Sequence, residues 1–129
     1  MFINAIPQYI QNIINAKVDL TADTATTLYT APSGNDFNAS IFSSILVSND
    51  SGSADTITVT ITNGSTVFSL FKVKAIAANT TVELLTRDLV LQGAEILKVT
   101  AATADRLHVV ASIQEFAQNR STTSALAQI

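Results

Sequence analysis

The chain has 129 residues, of which 47% are hydrophobic and 13% are charged, with a net charge of −3. Its basic residues are scattered along the sequence, which argues against nucleic acid as a partner because phosphate binding requires clustered Lys and Arg side chains. The absence of cysteine excludes disulfides, thiolate metal sites and a cysteine nucleophile. A surface with so few charges is expected to be covered in large part by other proteins.

The first 13 residues form an N-terminal arm in our interpretation. Pro7 interrupts them, so the segment is either a short amphipathic helix beginning at Gln8 or an extended arm. Large apolar residues recur in it at helical spacing: Phe2, Ile6, Ile10 and Ile13. Because these side chains would otherwise be exposed, we expect the arm to dock on a neighbouring protein.

Short alternating segments rich in Thr, Val and Ile follow the arm, separated by clusters of Gly, Asn, Asp and Ser. This pattern is typical of a β-sandwich or barrel with eight or nine strands. Besides a hairpin over 55–70, the predicted strands are 14–20, 27–30, 37–48, 81–85, 89–91, 96–101 and 106–116.

The hairpin is the clearest local signal. Asn63 and Gly64 favour a two-residue type I′ turn, which requires positive φ at both central positions. The predicted register pairs Ile61 with Thr66, Val59 with Phe68 and Ile57 with Leu70, with these apolar residues on one face. After Leu70 the alternation changes parity, so we predict a bulge or strand end near 70–71.

The last strand contains the single histidine, His108. Leu107, Val109, Ala111 and Ile113 alternate with it on the opposite face. A catalytic base would also need a nucleophile and an orienting group, so we interpret His108 as a partly exposed sheet residue. A metal site there is disfavoured because there are no further His or Cys ligands.

Two polar segments contain side chains that could bind a metal or form an ion pair. Residues 49–55 offer oxygen ligands, but they lack the acidic density and closing glutamate of a calcium loop, so a structural turn is favoured. Asp105 and Arg106 are candidates for a weak ion pair before the last strand. We therefore expect no catalytic residue, no metal and no cofactor.

These observations predict an all-β protein, a two-sheet antiparallel β-sandwich of jelly-roll or Greek-key type. The sandwich is assigned to 14–116, between the N-terminal arm at 1–13 and a polar C-terminal arm at 117–129 that ends in apolar residues. The residues expected to contact other proteins are Phe2, Ile3, Ile6, Ile10, Leu126 and Ile129. For the C-terminal arm, a frayed terminus is the equal alternative to docking.

The central sequence resembles a family of small β-sandwich proteins from tailed bacteriophages, notably phages of marine and freshwater bacteria. The resemblance spans residues 14–116 and its motifs are structural. They are Val18-Asp19-Leu20-Thr21, Thr27-Leu28-Tyr29-Thr30-Ala31-Pro32, Ser44-Ile45-Leu46-Val47-Ser48-Asn49-Asp50-Ser51, Thr56-Ile57-Thr58-Val59, Ala78-Asn79-Thr80-Thr81-Val82-Glu83-Leu84-Leu85 and Ala104-Asp105-Arg106-Leu107-His108-Val109-Val110-Ala111-Ser112. The resemblance implies a virion structural protein with no active site to transfer.

The function expected from the sequence is therefore a capsid decoration, or cement, protein. It would be made in the host cytoplasm, form a dimer or trimer, and bind the major capsid protein on the outside of the head. Neither a membrane nor a nucleic acid is an expected partner. The alternatives are a neck, tail or baseplate ring component, a receptor- or carbohydrate-binding module, and an enzyme such as a hydrolase, which we consider least favoured.

Overall fold

The structure is a computed structural model that describes residues 8–33 and 38–119, with side chains described for 11–33 and 38–116. Within these residues every regular element is a strand, and no helix is long and apolar enough to cross a membrane. The strands are β1 (Gln8–Asp19), β2 (Thr26–Thr30), β3 (Ala39–Asn49), β4 (Asp55–Asn63), β5 (Thr66–Ile76), β6 (Thr80–Glu83), β7 (Leu89–Gln92), β8 (Ile96–Ala101) and β9 (Leu107–Asn119). The predicted all-β class is confirmed.

The strands form two antiparallel sheets that pack face to face. Sheet A has the order β1-β9-β3-β6, and β7 also pairs with β3, while sheet B has the order β2-β8-β4-β5. β6 pairs with residues 46–49 of β3 and β7 with residues 39–42, so the two occupy one strand position end to end. The chain thus crosses repeatedly between two sheets of four strand positions each, which is the topology of a jelly roll.

The core lies between the sheets and follows the alternation of the strands. In β9 the predicted inward residues are all buried, and β8 and β4 alternate in the same way. Phe42 fills the centre of the core, and the ring of Tyr29 meets it edge to face with the centroids 5.4 Å apart. The largest fully buried side chains are Phe42, Leu20, Ile45, Ile57, Ile76, Leu91, Leu97, Leu107, Ile113, Val47, Val59 and Val99.

The predicted hairpin is present, but its turn lies one residue later than predicted. Asn63 pairs with Thr66, so the two central residues are Gly64 and Ser65. Gly64 has a φ of 61°, whereas Ser65 is not among the residues with positive φ, as in a type II′ turn. Ile61 consequently faces Phe68, Val59 faces Phe71 and Ile57 faces Lys74, so all three predicted pairings were wrong.

The predicted change of parity is confirmed as a break in the register of β4 and β5. The register shifts between Val59 and Thr60, which leaves Leu70 as an extra residue in β5. A second shift follows between Ile57 and Val59, near Val73. The sequence pattern did not predict this second irregularity.

Strand β1 begins earlier than predicted. Gln8 to Ile13, which we assigned to the N-terminal arm, continue β1 and pair with β9 as far as Asn119. This region is extended, so the helix alternative from Gln8 was wrong. β9 likewise continues through residues 117–119, the start of the predicted C-terminal arm. Phe37, the predicted start of β3, lies outside the described residues.

We expect Gly64→Val to lower the free energy of unfolding by about 1–2 kcal/mol, because a β-branched residue resists the left-handed conformation of this turn. Gly52→Val is the matched control, since Gly52 is not held at positive φ and has open space around its Cα. We expect the control to change stability by less than about 0.5 kcal/mol. Urea unfolding measures both variants, and equal effects would contradict the turn assignment.

Candidate functional site

The interaction residues proposed from the sequence fall mostly outside the described part of the chain. These residues are Phe2, Ile3, Ile6, Leu126 and Ile129. Ile10 lies in β1 opposite Ala117, but its side chain is not among those described. The role of these side chains in binding therefore stays a prediction.

Strand β5 carries the largest group of exposed apolar side chains among the described residues. We call this group the β5 patch: Val67, Phe68, Leu70 and Val73, which are 59%, 52%, 37% and 59% exposed. Phe68 is opposite Ile61 and was predicted to share its buried face. It remains half exposed because β5 is the last strand of sheet B, so no further strand packs beside it.

The β5 patch includes a strained residue. Val73 has a φ of 52°, which is unusual for a β-branched side chain. Its N–H donates to the hydroxyl of Thr58 at 3.1 Å, which holds the bulge in place. Strain of this kind costs about 1–3 kcal/mol and is concentrated at functional positions in proteins.

A groove runs beside the β5 patch, between β5 and the segment that joins β6 to β7. Its volume is about 310 Å³, and its walls are mainly apolar. The apolar lining residues are Leu70, Phe71, Leu84, Leu85 and Leu89. Val67 and Phe68 are adjacent in β5 and point to opposite faces of sheet B, so the patch and the groove lie along the β5 edge of the sandwich.

Glu83 is the last residue of β6 and bonds to β3 just before the chain enters the groove at Leu84. The backbone N–H of Ile45 donates to Glu83 Oε2 at 2.8 Å, and the hydroxyl of Ser44 donates to Oε1. Burial alone would raise the pKa of Glu83, but these bonds and those from the N–H groups of Leu84 and Leu85 outweigh it and lower the pKa. β3 pairs with β7 at residues 39–42 and with β6 at residues 46–49. In the gap between them, the Glu83 carboxylate accepts the N–H of Ile45 in place of a neighbouring strand.

His108 lies on the outer face of sheet A, as predicted, and its contacts are with two carboxylates. Nδ1 lies 3.3 Å from Asp19 Oδ1, and Nε2 lies 3.4 Å from Asp50 Oδ2. All three side chains are well exposed, so these contacts contribute little to stability. Asp19 is its cross-strand neighbour in β1, whereas the contact with Asp50 joins distant parts of the chain and was not predictable from spacing.

The loop considered for calcium is organised by the buried side chain of Asn49. Its Oδ1 accepts from the N–H and hydroxyl of Ser51, and its Nδ2 donates to the carbonyl oxygens of Ser53 and Ile76. The side chain thus acts as a turn-forming Asx residue. No cluster of three or more His, Asp or Glu side chains within the described ranges is placed to hold a metal ion.

Arg106 does not form the proposed pair with Asp105. Its guanidinium Nη1 donates instead to the carbonyl oxygen of Ala54 at 3.0 Å, and the backbone N–H of Asp105 donates to the carbonyl oxygen of Leu20. The turn before β9 is therefore fixed by hydrogen bonds to two other loops.

A buried polar contact ties the two sheets together at the opposite end. The Tyr29 hydroxyl, on β2 of sheet B, donates to Glu115 on β9 and lies 2.8 Å from the hydroxyl of Ser40 on β3. Asn12 also donates to Glu115, at 3.2 Å. Burial, together with the bond to Glu115, raises the pKa of Tyr29 to about 12. Sequence spacing gave no signal for this contact because its members are far apart in the chain.

Comparisons with known proteins show the fold. No family model matches the sequence, and no curated protein matches it either. The chain is similar to one from the structure of Bacillus endospore appendages, described as disulfide-linked pili, with 12% identity, a TM-score of 0.54, and coverage of 88% of this chain and 91% of that one.

It is also similar to a chain in the structure of infectious bursal disease virus, Gx strain, with 11% identity, a TM-score of 0.50 and coverage of 86% of this chain. The protein spans 32% of that longer viral chain. A pentameric capsid protein from metagenomic phage sequences is 21% identical over 79% of this chain and 59% of its own, with a TM-score of 0.44. The similarities to the pilus chain and to the bursal disease virus chain show that the β-sandwich of this protein is a known fold.

We expect Tyr29→Phe to lower the free energy of unfolding at neutral pH by about 1–3 kcal/mol, since Ser40 and Glu115 lose a buried partner. The folded pKa of about 12 lies above the ordinary value of 10.0. The contribution of Tyr29 is therefore complete below about pH 10 and is lost as the pH rises towards 12. The difference between the two proteins should shrink over that range.

Chemical denaturation at a series of pH values tests this expectation. The control is Thr30→Val, which removes an exposed hydroxyl from the same strand and should change stability little at any pH. A Tyr29→Phe variant as stable as the wild type, or a difference that does not change with pH, would contradict the buried hydrogen bond.

Proposed function

We propose that this protein is a non-enzymatic structural subunit of a virion. The observation that carries the proposal is a jelly-roll scaffold whose large exposed apolar side chains lie along strand edges and outer sheet faces. The likeness of fold to a chain in a virus structure supports it, as does the low proportion of charged residues. The sequence resemblance to β-sandwich proteins of tailed bacteriophages points to the same class.

Within that class, a capsid decoration protein fits the surface best. The β5 patch and its groove offer an apolar contact for a capsid subunit, and the predicted arms would add further contacts. A protein that binds only the assembled shell stabilises it by mass action. The expected position is the exterior of the capsid, with the major capsid protein as the partner.

A ring component of the neck, tail or baseplate would use the same scaffold. It would be present in far fewer copies per particle than a decoration protein, so the copy number distinguishes the two. A receptor- or carbohydrate-binding module would require a polar or aromatic pocket. The groove beside β5 is mainly apolar, with Phe71 as its single aromatic lining residue, and the polar pocket lined by Ser48, Asn49, Asp50, Asn79, Thr80 and Thr81 has no aromatic side chain.

A subunit of a surface fibre is a second candidate, because the pilus protein matches this chain over nearly the full length of both. Since this chain has no cysteine, its copies would associate in such a fibre without disulfides. Electron microscopy of the purified protein separates the two candidates: a fibre subunit is expected to form filaments, and a decoration protein to remain as small oligomers.

Catalysis is disfavoured by the surroundings of His108. Both ring nitrogens face carboxylates on an open sheet surface, an arrangement that leaves no nitrogen directed at a nucleophile. We interpret His108 as a structural link between β9, β1 and the loop after β3.

The proposal is tested on virus particles purified from cells that produce the chain. We expect cryo-electron microscopy to locate it in many copies on the outside of the head, with β5 facing the capsid. Phe68→Ser combined with Val73→Ser should reduce its incorporation into particles, and Val90→Ser, which alters an exposed apolar residue on the other sheet, should not.

Location in the neck or tail at ring copy number would replace the decoration role with a ring role. Absence of the chain from purified particles would overturn the virion proposal. Far-ultraviolet circular dichroism of each variant checks that any loss of incorporation is not a loss of folding.

A further inference from the structure

Every open sheet has two edge strands whose free backbone groups can pair with another strand, and proteins usually protect these edges. Three of the four edge positions in this sandwich are protected. β2 is only five residues long and its register shifts at Leu28. β6 and β7 are four residues each. β5 is long, but two bulges interrupt it and Lys72 and Lys74 lie along it.

The fourth edge, β1, has none of these protections. It is 12 residues long and pairs with β9 without a register shift from Gln8 to Asp19. Residues 8–16 contain no charged residue and no proline. Among the described residues, β1 pairs with β9 alone, so its other edge is free. A long, regular and uncharged edge of this kind is expected to be covered by another strand.

The most exposed large apolar side chain in the described structure lies in the middle of this edge. Ile13 is 73% exposed on the outer face of sheet A. Gln11 and Asn15 lie two residues on either side of it and on the same face. A second β1 aligned antiparallel about Ile13 would set the two Ile13 side chains together and place each Gln11 opposite an Asn15.

The charges of β1 favour the same alignment. Lys17 and Asp19 are at the end of the strand, so pairing centred on Ile13 keeps like charges from facing each other. Pairing centred on Lys17 would oppose two lysines and is disfavoured. Centring on Ile13 pairs residues 8–18 of both copies, almost the full length of β1, in the isologous arrangement of a twofold interface.

We propose that β1 pairs antiparallel with β1 of a second copy of this chain, about a twofold axis at Ile13. The partner is identified as a second copy because pairing two β1 edges in this register satisfies the free backbone groups of both strands and covers both Ile13 side chains. Sheet A would then continue through both copies. The inference concerns the purified chain and holds whether or not the protein belongs to a virion.

Single-cysteine variants test the register directly, since the chain has no native cysteine. Directly opposed residues of antiparallel strands have Cα atoms about 4.5–5.5 Å apart, within disulfide range. We expect Ile13→Cys to form a covalent dimer under mild oxidation. Asn15→Cys is the matched control, because its two copies would lie four residues apart along the strands, roughly 13 Å, and should not crosslink.

Sedimentation analysis provides a second readout. We expect Ile13→Glu to raise the dimer dissociation constant by at least about tenfold, because it opposes two carboxylates at the axis and removes an apolar contact. Val90→Glu, an equivalent change on the outer face of β7, should leave the constant unchanged. A monomeric wild type, or equal crosslinking of Ile13→Cys and Asn15→Cys, would overturn the proposal.

Discussion

The structure depends on one constraint: each strand must bury alternate side chains against the facing sheet while its backbone groups pair on both sides. β9 meets this constraint fully, because it lies between β1 and β3 and turns Leu107, Val109, Ala111 and Ile113 into the core. Strands at the ends of the sheets meet it only in part. The surfaces with interaction potential are therefore the edges, where pairing or packing is incomplete.

The two incomplete surfaces lie on opposite sides of the sandwich. β1 is the first strand of sheet A and is near β2, whereas β5 is the last strand of sheet B and is near β6. If β1 joins two copies, both β5 patches remain free at the far ends of the dimer. Such a dimer presents two separated apolar surfaces, a geometry suited to bridging neighbouring subunits of a larger assembly.

Much of the fold was predictable because local alternation carries it. The strand at 96–101 was predicted with its observed bounds, and the inward residues of β9 were predicted individually. The turn was misplaced because both Asn63-Gly64 and Gly64-Ser65 are good two-residue turns, and the register of the whole hairpin decides between them. Position in a sheet was also not predictable: Phe68 shares the face of Ile61, but only the topology makes β5 an edge.

The candidate site was less predictable than the fold for the same reason. The contacts of Tyr29 with Glu115 and of His108 with Asp50 join residues distant in the chain, and no spacing rule connects them. The β5 patch is exposed because β5 is an edge strand, and the strand order is needed to know this. The free edge of β1 is likewise recognised only by comparison with the other three sheet edges, which are protected. Sparse charge and apolar residues near the N-terminus led us to expect a role in assembly, and that role stays a proposal.

Hydrogen–deuterium exchange of the β1 amides at a series of protein concentrations tests most directly whether the free edge is an interface. In a single chain, the N–H groups of β1 that point away from β9 have no strand partner and exchange quickly. We expect them to become protected as concentration rises, while the amides of β9 stay protected throughout. Exchange of β1 that is independent of concentration would contradict the account.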